Sequence, residues 1–382
     1  MTLLRKKLAL RHLLLPDGEA VDLIVENGLI SSVSPAGTSD GDEKPDGDET
    51  ERIDFEGRTY ASSGWIDMHV HAFPEFDPYG DEIDEIGVRQ GVTAIVDAGS
   101  CGADRIGELA ASGERADTRL FAFLNVSRIG LARIDELSDL GWIDAAKAAE
   151  AAVRLPDAVV GFKARISRSV VGGSGLEPLR MARRLSNETG LPLMVHIGSG
   201  PPDIREILAL LESKDILTHC FHGKPNHPFD ADGRPLAELR HALERGVRLD
   251  VGHGTASFSF RTAEAALREG IRPHTISTDI YRGNRLNGPV FSLANVLSKF
   301  LHLGYSLPEV IEAVTSEPAQ WLRRPELGRI RAGEPANLTL FSVEGKLVRL
   351  VDSEEEIRTA DKIIKPWGVV ANGKLIKCEV RA

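Results

Sequence analysis

The chain has only three cysteines, Cys101, Cys220 and Cys378, far apart and with no Cys-x-x-Cys pair. That excludes a disulfide framework and a thiolate zinc site, and it points to a reducing, cytoplasmic setting. Long apolar runs are also missing. Arg5, Lys6, Lys7, Arg11 and His12 interrupt the leucines of Met1 to Leu15, which therefore lack the continuous hydrophobic region of a signal peptide. Elsewhere the apolar stretches fall far below the roughly 20 residues needed to cross a bilayer, so no membrane partner is expected. Positive charge is in deficit as well. With 46 basic against 57 acidic residues, the net charge of −11 repels phosphate backbones and anionic lipid, and nucleic acid is not an expected partner.

What is present suits a large globular protein: 382 residues, 42% hydrophobic and 27% charged, can bury one big α/β domain plus a smaller satellite. Val21 to Val25 and Leu29 to Val33 flank Glu26-Asn27-Gly28 and read as a β-hairpin. Ala336 to Phe341 and Gly368 to Ile376 read as strands too, the latter turning at Asn372-Gly373. Thr38 to Glu51, rich in Asp, Glu and Gly, reads as a solvated loop. Between the β-rich ends, apolar strands alternate with helical stretches such as Glu206 to Glu212, Leu236 to Glu244 and Thr262 to Glu269. The candidate strands are Gly64–His71, Val92–Ala98, Leu120–Val126, Val159–Ile166, Leu191–His196, Ile216–His219, Val247–Val251 and Thr275–Ile280. Eight of them suit an α/β fold of the closed (β/α)₈, TIM-like barrel type. An open doubly wound sheet is the alternative, but its glycine-rich dinucleotide fingerprint is missing after the first strand. The expected division is a β-sandwich from residues 1–60 and 326–382 around a barrel of residues 61–325.

Residues two apart on a strand point the same way, so His69 and His71 set two imidazoles side by side where the first strand ends. Taken alone, His-x-His is equally common as a pair of core histidines. Context adds Lys163, His196, His219 and Asp279 at the ends of the fourth, fifth, sixth and eighth strands, and in a barrel those ends converge on one mouth. Four imidazoles and a carboxylate suit a divalent ion such as zinc better than Ca²⁺ or Mg²⁺, which call for mostly oxygen ligands. Lys163 is the odd member, because an ammonium cannot bind a cation and is costly behind the apolar run Val159-Val160-Gly161-Phe162. A neutral amine can instead add carbon dioxide, giving a carbamate with one oxygen for each of two ions about 3.5–4 Å apart. By itself Lys163 would read as a surface lysine opening a loop.

Gly64-Trp65-Ile66-Asp67-Met68-His69-Val70-His71 resembles the first-strand signature of the amidohydrolase superfamily, which includes dihydroorotases, hydantoinases and urease. The flanks Ile24 to Ile30 and Gly333 to Leu340 resemble that superfamily's small β-sandwich. The resemblance to its two-metal members implies that His69 and His71 hold one ion with Asp279, that His196 and His219 hold the other, and that carboxylated Lys163 bridges both. Two ions sharing one water lower its pKa toward neutrality and polarise a carbonyl, so hydrolysis is the implied reaction. Asp279 would take the proton of that water and pass it to the leaving group. An isolated Asp after a strand is otherwise read as a helix N-cap.

Gly161-Phe162-Lys163-Ala164-Arg165 and Thr218-His219-Cys220-Phe221-His222-Gly223 resemble a deacetylase-like branch, often labelled dihydroorotase, that acts on acylated small carboxylic acids. The implied partner is a small carboxylate-containing substrate, which Arg165 or Arg282 would clamp; an arginine near a strand end is otherwise a solvated ion pair. His222 and His253 are the remaining candidates for substrate binding, although that branch often has Asn where this chain has His222. Ala72-Phe73 stand where true dihydroorotases place a substrate-gripping arginine. The expected function is thus deacetylation or amide hydrolysis, with a cyclic amidase and a catalytically inactive binding protein as alternatives. A homo-oligomer is expected at the level of the family.

Overall fold

The computed structural model describes residues 7–38 and 50–379. Residues 39–49, most of the expected acidic loop, lie outside them. The strands in chain order are β1 (Lys7–Leu14), β2 (Ala20–Glu26), β3 (Leu29–Pro35), β4 (Thr50–Asp54), β5 (Tyr60–Ser63), β6 (Trp65–Val70), β7 (Val92–Gly102), β8 (Arg119–Asn125), β9 (Val159–Ile166), β10 (Leu193–Ile197), β11 (Ile216–Thr218), β12 (Arg248–Asp250), β13 (Leu338–Val351), β14 (Ile357–Ala371) and β15 (Lys374–Lys377). The seven strands β6 to β12 form one sheet in sequence order, all parallel. Helices connect them, as right-handed βα crossovers require. Among the described residues, no helix is long and apolar enough to cross a membrane.

Thr275 to Ile280, expected as the eighth strand, closes the ring without forming a continuous ladder. It touches its neighbours through two isolated parallel bridges, Asp250 to Thr275 and Val70 to Ile280. The backbone bonds Val251 N to Thr275 O (3.1 Å), Asp279 N to His69 O (2.7 Å) and His71 N to Ile280 O (2.9 Å) complete the closure. The pleat breaks at Asp279, whose φ of 52° is left-handed. Side chains seal the seam instead: Asp67 on β6 accepts from the Thr278 hydroxyl at 2.6 Å and from the Thr278 amide at 3.1 Å.

The other strands build a separate eight-stranded sheet in the order β15-β14-β13-β5-β1-β2-β3, with β4 on β1. Its own core includes Leu10, Leu13, Leu23, Ala61, Leu338 and Leu340. Both Asn-Gly signals are realised as hairpin turns, with φ of 53° and 79° at Asn27-Gly28 and of 50° and 73° at Asn372-Gly373. Positive φ at both central residues is what a type I′ turn demands. The chain passes from β5 straight into β6, and Trp65 joins the two sheets: its ring lies 5.2 Å from that of Phe341, and its Nε1 donates to Ser62 Oγ at 3.1 Å.

The arm formed by β13 and β14 is far longer than the short strands read from sequence. Leu350, Ala360 and Ile364 bury their side chains in the barrel's core, while Ile364 N donates to Ser298 Oγ at 2.9 Å. The tip between the strands reaches the barrel loops, where Asp352 accepts from Phe260 N at 2.9 Å and Ser353 Oγ donates to Gly254 O at 3.0 Å. Phe341 is fully buried beside both Tyr60 and Trp65. Phe341→Ala is expected to lower stability by about 3–5 kcal/mol in urea unfolding; a loss below about 1 kcal/mol would contradict this packing.

Candidate metal centre

His69 lies in β6 and His71 follows its last residue, so their alternation sends both rings into the barrel mouth. Their Nε2 atoms stand 3.4 and 3.1 Å from the same Asp279 Oδ1. Lys163, in β9, brings Nζ within 3.1 Å of His69 Nε2. His219 follows β11 in the left-handed region, φ 65°, and its Nε2 meets His196 Nδ1 at 2.8 Å. The His69 and His219 rings are 5.0 Å apart. All six sequence-derived ligand candidates therefore converge, as His69, His71 and Asp279 around one point, Lys163 against His69, and His196 with His219 beside them.

Hydrogen bonds behind the rings set which nitrogen carries the proton. Thr218 Oγ1 donates its single hydrogen to Asp250 Oδ2 at 2.7 Å. It must then accept from His69 Nδ1 at 2.8 Å, which leaves the His69 Nε2 lone pair facing the cluster. His219 Nδ1 donates to the Gly252 carbonyl at 2.6 Å, so its Nε2 lone pair also faces inward. His71 Nδ1 contacts Ser100 Oγ at 2.9 Å. Rings oriented from behind with inward lone pairs are the arrangement that histidine ligands of a divalent ion require. The donor set of imidazole nitrogens plus a carboxylate fits an ion of the zinc type.

Asp250, at the end of β12, holds this framework together. Its carboxylate accepts from Thr218, from Thr275 at 2.6 Å and from Ser277 at 2.8 Å. Burial would raise its pKa, but His69, Thr275 and Thr218 outweigh burial and hold it below the ordinary carboxylate value. Close approach is needed here: a Cβ on Gly252, φ 48°, would lie 2.4 Å from Thr218 Oγ1 and 2.8 Å from His219 Nδ1. Asp250 and Ser100 carried no sequence motif, and Thr218 was quoted only as the residue before His219; the available signal was a polar residue at or near a strand end.

The electrostatics favour uncharged nitrogens. Burial lowers the Lys163 amine to about 7, only partly opposed by Asp279 and Asp250. Burial and the Lys163 charge push His69 down to about 3, and burial takes His196 and His219 well below the usual imidazole value. For Asp279 burial works upward, yet the His71 hydrogen bond and the charges of His219, His71 and Lys163 keep it low.

The proposed substrate contacts are placed unequally. Arg165 is mostly buried, pairs with the fully buried Glu136 at 3.2 Å, and lies 6.0 Å from the Tyr79 ring centre. Arg282 is half exposed and 3.8 Å from Asp81, a carboxylate that Arg285 already holds at 2.6 Å. His253 is buried away from the cluster, with Nε2 accepting from Lys299 Nζ at 2.8 Å and its ring stacked 4.6 Å from that of Phe258. His222 is fully buried; its Nδ1 accepts from Lys224 N at 3.1 Å, and its Nε2 has no hydrogen-bond partner among the described residues.

The model of the amidohydrolase family matches residues 60–376, which span the barrel and the strands that follow it. The chain belongs to that family. This amidohydrolase is similar to a deacetylase of Enterococcus faecalis, 42% identical over 361 residues that cover 94% of this chain and 96% of the relative. Among solved structures it resembles an adenine deaminase at 40% identity, covering 97% of this chain and 99% of that one with a TM-score of 0.90. It also resembles a dihydroorotase at 30% identity, with coverage of 98% and 99% and a TM-score of 0.87.

Thr218→Val keeps the shape but removes the link between Asp250 and His69. Titration with a competing chelator is expected to show about 10- to 100-fold weaker zinc binding, as loss of a ligand-orienting partner does. Unchanged affinity would refute the orienting role.

Proposed function

We propose that this amidohydrolase holds two divalent ions, zinc being the expected choice, and cleaves an acetyl or similar acyl group from a small hydroxy or amino carboxylic acid. His69, His71 and Asp279 would hold one ion, His196 and His219 the other, and a carbamate on Lys163 would bridge them. One observation carries the reading: the Lys163 amine, 1% exposed, has His69 Nε2 and Met194 Sδ as its hydrogen-bond partners, at 3.1 and 3.3 Å. Neither can neutralise an ammonium, and a buried lone ammonium is costly. A neutral amine there can add carbon dioxide, and the resulting anion supplies the oxygen donors that imidazoles alone leave out.

When bound, the ions acidify a shared water and polarise the acyl carbonyl. Asp279 does the proton work. Its side chain is 18% exposed, so it reaches the mouth while its Oδ1 stays against both histidines. A carboxylate kept ionised can accept the proton of the attacking water and hand it to the departing nitrogen or oxygen. The left-handed backbone at Asp279 is anchored by Asn284, whose Nδ2 donates to Asp279 O at 2.9 Å, so the base is held in place from behind.

The deacetylase name of the 42% identical relative supports acyl cleavage. The 30% identical structure named a dihydroorotase favours ring opening as a second reading. Against that reading, Ala72 and Phe73 are buried and apolar and offer no cation of their own, and the Arg105 guanidinium that lies 4.7 Å from the Phe73 ring is already paired with Glu75 and Glu108. A panel of N-acetyl amino acids, O-acetyl hydroxy acids and cyclic imides assayed with the zinc-loaded protein separates the two. Turnover confined to the cyclic imides would overturn the deacetylase reading.

Asp279→Asn is expected to keep most bound metal while losing two or more orders of magnitude in kcat, in the range for removal of a general base. Near-normal turnover would remove Asp279 from that role. Lys163→Ala is expected to lose both metal and activity, with partial recovery when a short carboxylic acid is added. Metal analysis showing about two ions per chain in that variant would refute the bridge.

A further inference from the structure

The loop that follows β11 carries a cation that the cluster does not use. Lys224 is half-buried, and no carboxylate pairs with its ammonium among the described residues. It stands at the cluster's edge: a Cβ on Gly198 would lie 3.7 Å from both Lys224 Nζ and His196 Nε2. The same point is 3.2 Å from the Cβ of Ser167, so Lys224, His196 and the end of β9 line one corner of the mouth. The charge of Asp279 is felt at Lys224, and that of Lys224 at His196.

The loop is built to keep it there. Asn226 donates from Nδ2 to Gly198 O at 3.3 Å and to Pro202 O at 3.0 Å, and accepts from Ile204 N at 2.9 Å, tying the loop after β11 to the loop after β10. His222 holds the Lys224 backbone amide through Nδ1 at 3.1 Å. An ammonium fixed in a half-buried corner without an anion needs one from outside.

The other cations at the mouth are already matched. Arg165 has Glu136, and the half-exposed Arg282 lies toward the rim, 3.8 Å from the buried Asp81. In an N-acyl amino acid or O-acyl hydroxy acid, the carboxylate carbon is three bonds from the scissile carbonyl carbon. Ordinary bond lengths put the two about 3–4 Å apart. The group that binds the carboxylate must therefore sit beside the histidines rather than at the rim, and Lys224 meets that condition.

We propose that Lys224 is the anion anchor of the site: its ammonium binds the substrate carboxylate while the acyl carbonyl lies against the histidine cluster. His222 and Asn226 then act as positioning residues. The assignment rests on the acyl-carboxylate reading above and names the residue that selects for it.

The test pairs N-acetyl amino acids with their C-terminal carboxamides, and O-acetyl-lactate with its amide, using zinc-loaded wild type, Lys224→Met and Lys224→Arg of equal metal content. Wild type is expected to prefer the carboxylates. In Lys224→Met that preference in kcat/KM should fall about 10- to 100-fold, chiefly through KM, the range for one lost charge-assisted hydrogen bond. Lys224→Arg should restore most of it. An unchanged preference in Lys224→Met overturns the anchor. Failure of wild type to cleave any acylated acid overturns the acyl-carboxylate reading instead. Calorimetry with lactate then decides the anchor alone: at least tenfold weaker binding to Lys224→Met supports it, and equal binding, or none by wild type, overturns it.

Discussion

A lysine amine closed off from water, with imidazoles and a thioether around it, is the constraint on which the mouth of this barrel depends. Burying an ammonium that no carboxylate contacts directly costs several kcal/mol, and the nearby charges of Asp279 and Asp250 offset that only in part. Burial therefore shifts Lys163 toward the uncharged amine, moving its pKa down to about 7. The surrounding histidines are pressed the same way, toward neutral rings with lone pairs directed inward. Cluster and lysine thus share one electrostatic requirement, a positive charge supplied by something other than their own protons.

The barrel meets that requirement by fixing protons from outside the cluster. Asp250 takes hydrogens from Thr218, Thr275 and Ser277, and through Thr218 sets the tautomer of His69. Asp67 does comparable work at the seam, joining β6 to the segment that carries Asp279. The same carboxylates that close the ring also aim the candidate ligands, so the closure of the fold and the orientation of the site are one network. The long arm of β13 and β14 reaches that network from the other sheet, with Ser353 bonding to Gly254 beside the mouth.

Much of this was legible in the sequence because it follows from local rules. The seven parallel strands begin and end within a few residues of the apolar runs that announce them, and both Asn-Gly pairs turn as their positive φ requires. The convergence of His69, His71, Lys163, His196, His219 and Asp279 followed from their positions at strand ends. The seam at Thr275 to Ile280 was not legible as an irregular segment, since its alternating residues look like an ordinary strand and the break comes from the backbone at Asp279. The arm was hidden by charge: Glu344, Lys346, Arg349, Asp361 and Lys362 mask a β-ladder that faces water along much of its length. Asp250 gave no motif, and Thr218 entered only as the first residue of the segment around His219, because their bonding arises from contacts between the ends of separate strands. Among the substrate candidates, Arg165 lies near the cluster with its charge matched by Glu136, whereas His253 turns toward Lys299.

The central claim is that Lys163 carries a carbamate. The most direct test is carbon-13 NMR of protein loaded with zinc in carbon-13 bicarbonate. The account predicts a single protein-bound carbamate signal that disappears in Lys163→Ala. Wild-type protein holding its metal with no such signal would contradict it.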